Sequence, residues 1–171
     1  MRIISILLLV VLLASCQSKK DKLVEDIKAG EAKLFSDSLK MLNPKIAADV
    51  YSKYLEYADT YKDDTTSANY LFKAADLANG IQKPQESVKL YERLRTTYPD
   101  YRRTAAALFM EGFLNETALM DKEKAKILYK EFIEKYPNHQ LTPSAQASLD
   151  QLNANLTDEE LIRKFEAQLQ K

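Results

Sequence analysis

The chain repeats itself. Residues 87–100, SVKLYERLRTTYPD, align without a gap to residues 125–138, AKILYKEFIEKYPN, at an offset of 38. Upstream, ANYLFKAADLA at 68–78 lies over AALFMEGFLNE at 106–116 at the same offset. A period between 20 and 50 residues marks a stack of units, each too small to bury its own apolar face, so that neighbours must cover one another. Each unit reads as two helices, with a turn before Pro84 in one copy and before Asp121 in the other. Pro99 and Pro137 then stop each second helix, because the ring removes an N–H and restrains the residue before it.

The pattern extends weakly in both directions. Tyr54, Tyr57 and Tyr61 followed by Lys62-Asp63 match Tyr91, Leu94 and Tyr98 followed by Pro99-Asp100 at an offset of 37. Asn43-Pro44 supplies a cap and a first-turn proline for that helix. Leu23, Ile27 and Leu34 line one face of a helix over about residues 20–35, interrupted by Gly30. Thr142-Pro143 opens another helix with Ala145, Leu149 and Leu152 on one stripe. Thr157 to Glu160 forms a capping box before Leu161, Phe165 and Leu169, a closing helix that would cap the stack. Only three glycines and five prolines occur in 171 residues. An all-α fold of about eight helices between residues 20 and 170 is therefore expected.

These units resemble tetratricopeptide repeats. That family places a small residue in the middle of the first helix, another early in the second, an aromatic one turn later and a proline at the end. Gly112, Ala125, Tyr129 and Pro137 fit those roles in one unit, and Ala74, Ser87, Tyr91 and Pro99 in the other. The resemblance implies a solenoid of helical hairpins wound as a right-handed superhelix. Its period of 38, against the usual 34, implies longer turns. It also implies that the first helices line a groove for a partner's peptide or helix. Carried over through Gly112, the groove set is Phe109, Phe113, Glu116 and Thr117, with Leu71, Ala75, Ala78 and Asn79 in the preceding unit.

The N-terminus carries an address. Arg2 is a short basic start, and the 12 residues Ile3 to Ala14 are apolar except for Ser5. Such a run is too short to span a bilayer and has the layout of a secretory signal. Leu13-Ala14-Ser15 followed by Cys16 resembles the lipobox of bacterial lipoproteins, in which the cysteine is acylated and becomes the first mature residue. The chain has no other cysteine, so it forms no internal disulfide. The expected division is a signal peptide over 1–15, a lipid-anchored linker and N-terminal helix over 16–43, and a repeat domain with capping helices over 44–171. The mature chain is similar to repeat lipoproteins of Gram-negative envelopes, including those of the outer-membrane assembly machinery, with fewer repeats than the assembly subunit. Gln17-Ser18 lacks the aspartate that resembles an inner-membrane retention signal, and Lys19-Lys20 does not resemble an acidic surface-export tract. Those features favour the periplasmic face of the outer membrane.

Residues suited to catalysis are sparse. Lys+Arg and Asp+Glu each number 25, and cleavage after Ser15 would remove one base, Arg2. That balance offers no basic stripe for nucleic acid. One histidine and one cysteine give zinc no ligand cluster, and Gly30, Gly80 and Gly112 are isolated, so no phosphate loop exists. The expectation is no catalytic site, metal, cofactor or small-molecule substrate. His139, in a Tyr-Pro-Asn-His turn, reads as a solvated turn residue, and Asp63-Asp64 as helix N-terminal charge. Tyr54, Tyr91 and Tyr129 recur at repeat spacing, as do Tyr61, Tyr98 and Tyr136, which marks packing. Tyr70 and Tyr101 fall outside that rule and are the better contact candidates. Asp37-Ser38-Leu39 and Asp64-Thr65-Thr66, in predicted loops, resemble the O-glycosylation pattern of some Gram-negative bacteria. The reading that follows is a lipid-anchored adaptor for an envelope protein or peptide segment. Its alternatives are a self-associating structural module and a surface glycan-binding lipoprotein.

Overall fold

The computed structural model describes residues 18–36, 42–154, 162, 163 and 166. Seven helices occupy the first two stretches: α1 (Lys19–Leu34), α2 (Pro44–Thr60), α3 (Thr65–Gly80), α4 (Pro84–Thr97), α5 (Thr104–Thr117), α6 (Lys122–Lys135) and α7 (Thr142–Ala154). Each packs on its neighbours in sequence order, the layout of a solenoid. Cys16, Ser38 and most of the closing helix expected after Thr157 lie outside the described residues. Ile162, Arg163 and Glu166 are helical.

The helix starts follow from side chains able to satisfy orphan backbone N–H groups. Asn43 Oδ1 accepts from the N–H groups of Lys45 and Ile46 at 3.1 and 3.2 Å, and Pro44 sits at the first turn of α2. Asp64 caps α3 through Thr66 N–H at 2.7 Å, and Asp121 caps α6 through Lys124 N–H at 3.0 Å. Asp64 thus holds the helix-terminal role read from the sequence. Thr65 is the exposed first residue of α3, not a loop residue.

One turn is built three times. Tyr61, Tyr98 and Tyr136 end α2, α4 and α6. Three residues on, the N–H groups of Asp64, Tyr101 and His139 donate to those tyrosine carbonyls at 2.9, 3.1 and 3.1 Å. Six residues on, the hydroxyls of Ser67, Thr104 and Thr142 donate to the same carbonyls at 2.6, 3.0 and 2.7 Å. The last carbonyls of each second helix are thereby paired as the next hairpin begins. This joint makes α1–α2 a hairpin ahead of α3–α4 and α5–α6, and makes α7 the first helix of a further unit.

The turns inside the hairpins differ by one residue. Residues 81–83 link α3 to α4, and residues 118–121 link α5 to α6. Both turns pass through the left-handed region, at Gln82 (φ 62°) and Met120 (φ 57°). The extra residue sets α6 at 38 from α4 but α5 at 37 from α3. At 37, burial matches along α3 and α5, pairing Leu71 with Leu108, Ala74 with Glu111, Ala75 with Gly112 and Leu77 with Leu114. The gapless offset of 38 read across the first helices is therefore wrong by one residue. Ala75, not Ala74, is the counterpart of Gly112.

The core runs the length of the stack. Tyr54, Tyr91 and Tyr129 are buried, as their recurrence implies. Two apolar clusters divide the interior, one over α1 to α5 and one over α5 to α7, with α5 facing both. Gly30 does not interrupt α1. It is buried against α2, where an added Cβ would lie 2.6 Å from Val50 Cγ2. Gly112 allows the same approach under α6, with Tyr129 Cε1 at 3.0 Å from an added Cβ. The first hairpin is thus closed by a glycine whose sequence position looked like a defect.

Candidate binding groove

The first helices of the hairpins, α1, α3 and α5, each leave one stripe open to solvent. On α3 it is Asn69, Lys73, Asp76 and Gly80, and on α5 it is Ala106, Met110, Phe113 and Thr117. The spacings of 3 and 4 keep each stripe on one helix face. Glu31 and Phe35 supply the corresponding surface on α1, where they line a cavity of about 260 Å³ with Leu42, Tyr54, Lys73, Asp76 and Leu77.

The expected groove set divides accordingly. Phe113, Thr117 and Asn79 are exposed and Glu116 is half-buried on this side. Phe109 is half-buried, with its ring 5.8 Å from Tyr129 and 5.7 Å from Phe132. Leu71, Ala75 and Ala78 are fully buried and cannot line a surface. Their assignment inherited the one-residue register error, which turns a helix position by about 100°. The α3 residues standing where Phe109, Phe113, Glu116 and Thr117 stand are Phe72, Asp76, Asn79 and Gly80. Tyr70 is also not a contact residue, being buried with its ring 5.5 Å from Tyr54 and 4.6 Å from Tyr57. Tyr101 is half-buried and donates to Asn69 Oδ1 at 3.2 Å.

Each hairpin ties its second helix to a carboxylate on its first. The Tyr54 hydroxyl donates to Glu31 at 2.6 Å, Tyr91 to Asp76, and Tyr129 to Glu116 at 2.6 Å. Burial and these acceptors push all three phenols above their ordinary range. Asp76 corresponds in register to Phe113, so in the third hairpin the acceptor moves one turn along, to Glu116. The groove consequently changes character along its length, with charge at Glu31, Lys73 and Asp76 giving way to Met110 and Phe113.

The charges are held in place. Lys73 Nζ bonds Glu31 Oε1 at 2.7 Å and lies 5.9 and 5.8 Å from the Tyr54 and Tyr70 ring centres. The Arg103 guanidinium stacks 3.4 Å over the Phe72 ring. Burial raises the Asp76 carboxyl above the usual carboxylate range, against the pull of the Tyr91 hydroxyl and Arg103. At the far end of α1, Lys20 pairs with Asp64 and lies over the rings of Tyr57 and Tyr61. The hydrogen bond from Lys20 holds Asp64 well below the usual carboxylate range.

Other sequence candidates resolve as structure. His139 takes the turn position of Asp64 and Tyr101. Its Nδ1 accepts from Leu141 N–H at 3.1 Å, and its ring packs edge-on against Phe132 and Tyr136. Glu111, which no sequence signal singled out, is buried beneath the groove and paired with Arg95. Comparing the copies in the correct register would have exposed it, since an alanine stands at its place in α3. Among the described residues no group of three or more His, Cys, Asp or Glu side chains could hold a metal ion, and no helix is long and apolar enough to cross a membrane.

A search of curated proteins returns no match to the chain. The tetratricopeptide repeat family model matches residues 70–101 and 106–139. Those stretches cover most of α3 with α4, and α5 with α6, up to the tyrosine turns that close them. The second and third hairpins of this all-helical stack thus match tetratricopeptide repeats, a family of protein-interaction modules.

Proposed function

We propose that this protein is a membrane-anchored adaptor, tethered through lipidated Cys16 to the periplasmic face of the outer membrane, whose groove binds a segment of another envelope protein. The observation that carries the binding half is the open stripe on α3 and α5. On that stripe Phe113 is 40% exposed, with Met110 half-buried beside it. An apolar surface flanked by fixed charges suits a segment presenting a few apolar anchors. The leader and Leu13-Ala14-Ser15-Cys16 support the anchoring half. Attachment by more than one acyl chain gives stable anchoring, and confinement at a membrane raises the effective concentration of a weak groove for its neighbours. The glycan reading loses ground because Tyr70, one of its two best aromatic platforms, is packed inside the stack.

Two experiments test the halves separately. Cys16→Ala should move the protein from detergent-extracted membrane to the soluble fraction, and unchanged fractionation would remove the anchor. Photoreactive residues at Phe113 and Glu116 in living cells should crosslink a discrete envelope protein. Recovery of only lipid and the protein itself would remove the adaptor.

A further inference from the structure

The cavity between α1 and α3 has a chemistry of its own. Its walls are the exposed ring of Phe35, the side chains of Leu42 and Leu77 and the face of Tyr54. Its polar rim is Glu31, Lys73 and Asp76. The volume of about 260 Å³ suits one long side chain rather than a helix or sheet edge.

Among the charges on the rim, Asp76 is the one left over. Lys73 is engaged by Glu31 at 2.7 Å and held over two tyrosine rings. Arg103, the next cation along the groove, is stacked on Phe72 and acts on Asp76 only through space, without forming an ion pair with it among the described residues. Asp76 has no ion-pair partner among the described residues and accepts one hydrogen bond, from the Tyr91 hydroxyl to Oδ1. Its Oδ2 accepts no hydrogen bond among the described residues, and the residue is exposed to an incoming group. A cation brought against such a carboxylate makes a charge-assisted hydrogen bond, stronger than a neutral one. The apolar walls meanwhile accommodate the aliphatic stem that such a cation carries.

We infer that this cavity receives an arginine or lysine side chain of the bound segment, its stem against Phe35, Leu42 and Leu77 and its charge on Asp76. The inference rests on the groove being a peptide-binding surface, and adds a charge requirement to it. Apolar anchors meet Phe113 and Met110 at one end of the groove, and a cation meets Asp76 at the other.

The test uses the full-length chain in detergent and three fluorescent extended peptides, identical except for a central Arg, Gln or Glu between leucines. Fluorescence anisotropy should show the Arg peptide binding at least tenfold tighter than the Gln peptide, and the Glu peptide weakest. Asp76→Asn keeps an acceptor for the Tyr91 hydroxyl and should erase the Arg preference without changing the thermal unfolding midpoint. Lys73→Met releases Glu31 while keeping an apolar stem, and should strengthen binding of the Arg peptide, a gain that misfolding cannot produce. Equal or tighter binding of the Glu or Gln peptide overturns the inference, as does an Arg preference that survives Asp76→Asn. Binding by none of the three also overturns it. The groove itself is judged separately, by the crosslinks from Phe113.

Discussion

Arg95 and Glu111 form a two-point ion pair beneath the groove. Arg95 Nε donates to Glu111 Oε1 at 2.5 Å and Nη2 to Oε2 at 3.3 Å, while Nη1 reaches Glu131 at 3.2 Å. Three helices, α4, α5 and α6, are joined through one guanidinium. Its planar fork matches a carboxylate, which makes arginine rather than lysine the suitable residue here. Glu111 is 2% exposed, so the pair lies in the interface between two repeats.

Removing one partner of such a pair costs more than removing both, because a buried charge is left uncompensated. Arg95→Met should destabilise the fold by about 3–5 kcal/mol. Adding Glu111→Leu should recover most of that loss. Urea unfolding of the two variants checks this, and a double variant no more stable than Arg95→Met would show that the pair contributes packing rather than charge balance.

Burial raises the Glu111 carboxyl from an ordinary 4.5 to about 7, overriding the opposing pull of Arg95. Between those values the folded chain holds a proton that the unfolded chain has released, so this group's contribution to stability falls as pH rises. The stability difference between wild type and Glu111→Gln should therefore shift against wild type from pH 5 to pH 8. Urea midpoints of both proteins across that range provide the measurement. A difference that stays flat would place the Glu111 titration elsewhere.

Gly30 and Val50 set the closest approach of α1 to α2. Alanine is favoured over glycine inside a helix by about 1 kcal/mol, so propensity alone predicts that Gly30→Ala stabilises. The opposite sign is expected. The new Cβ would meet a branched side chain with few rotamers to retreat into, and overpacking of this kind costs about 1–3 kcal/mol. Pairing Gly30→Ala with Val50→Ala should lose less than Val50→Ala and Gly30→Ala summed, as read by thermal unfolding.

Thr104→Val tests the recurrent tyrosine turn. The substitution keeps the side-chain shape and deletes the hydroxyl that donates to the Tyr98 carbonyl at 3.0 Å. Loss of about 0.5–1.5 kcal/mol is expected for one such bond. Ser67→Ala and Thr142→Val should behave alike, because they close the same turn at the neighbouring joints. Amide hydrogen exchange at Tyr101 and Thr104 should quicken locally in Thr104→Val, where the turn is loosened.

Sequence alone determined the stacked-hairpin architecture, because apolar spacing, prolines and recurring tyrosines are local signals that each helix carries for itself. It placed α4 against α6 in the right register, since no insertion separates Ser87, Tyr91 and Tyr98 from Ala125, Tyr129 and Tyr136. The tertiary structure decided how α3 and α5 are rotated. One extra residue in the turn before Asp121 is almost invisible in an alignment of polar turn residues, yet reading across it misplaces every α3 position by one residue, about 100° of helix face. In the true register Leu71, Ala75 and Ala78 lie in the core and Asp76 lies on the groove. The same holds for Gly30 and Glu111, whose roles depend on what stands opposite them. A glycine in a helix and a glutamate in a charged sequence have no legible meaning until Val50 and Arg95 are packed against them.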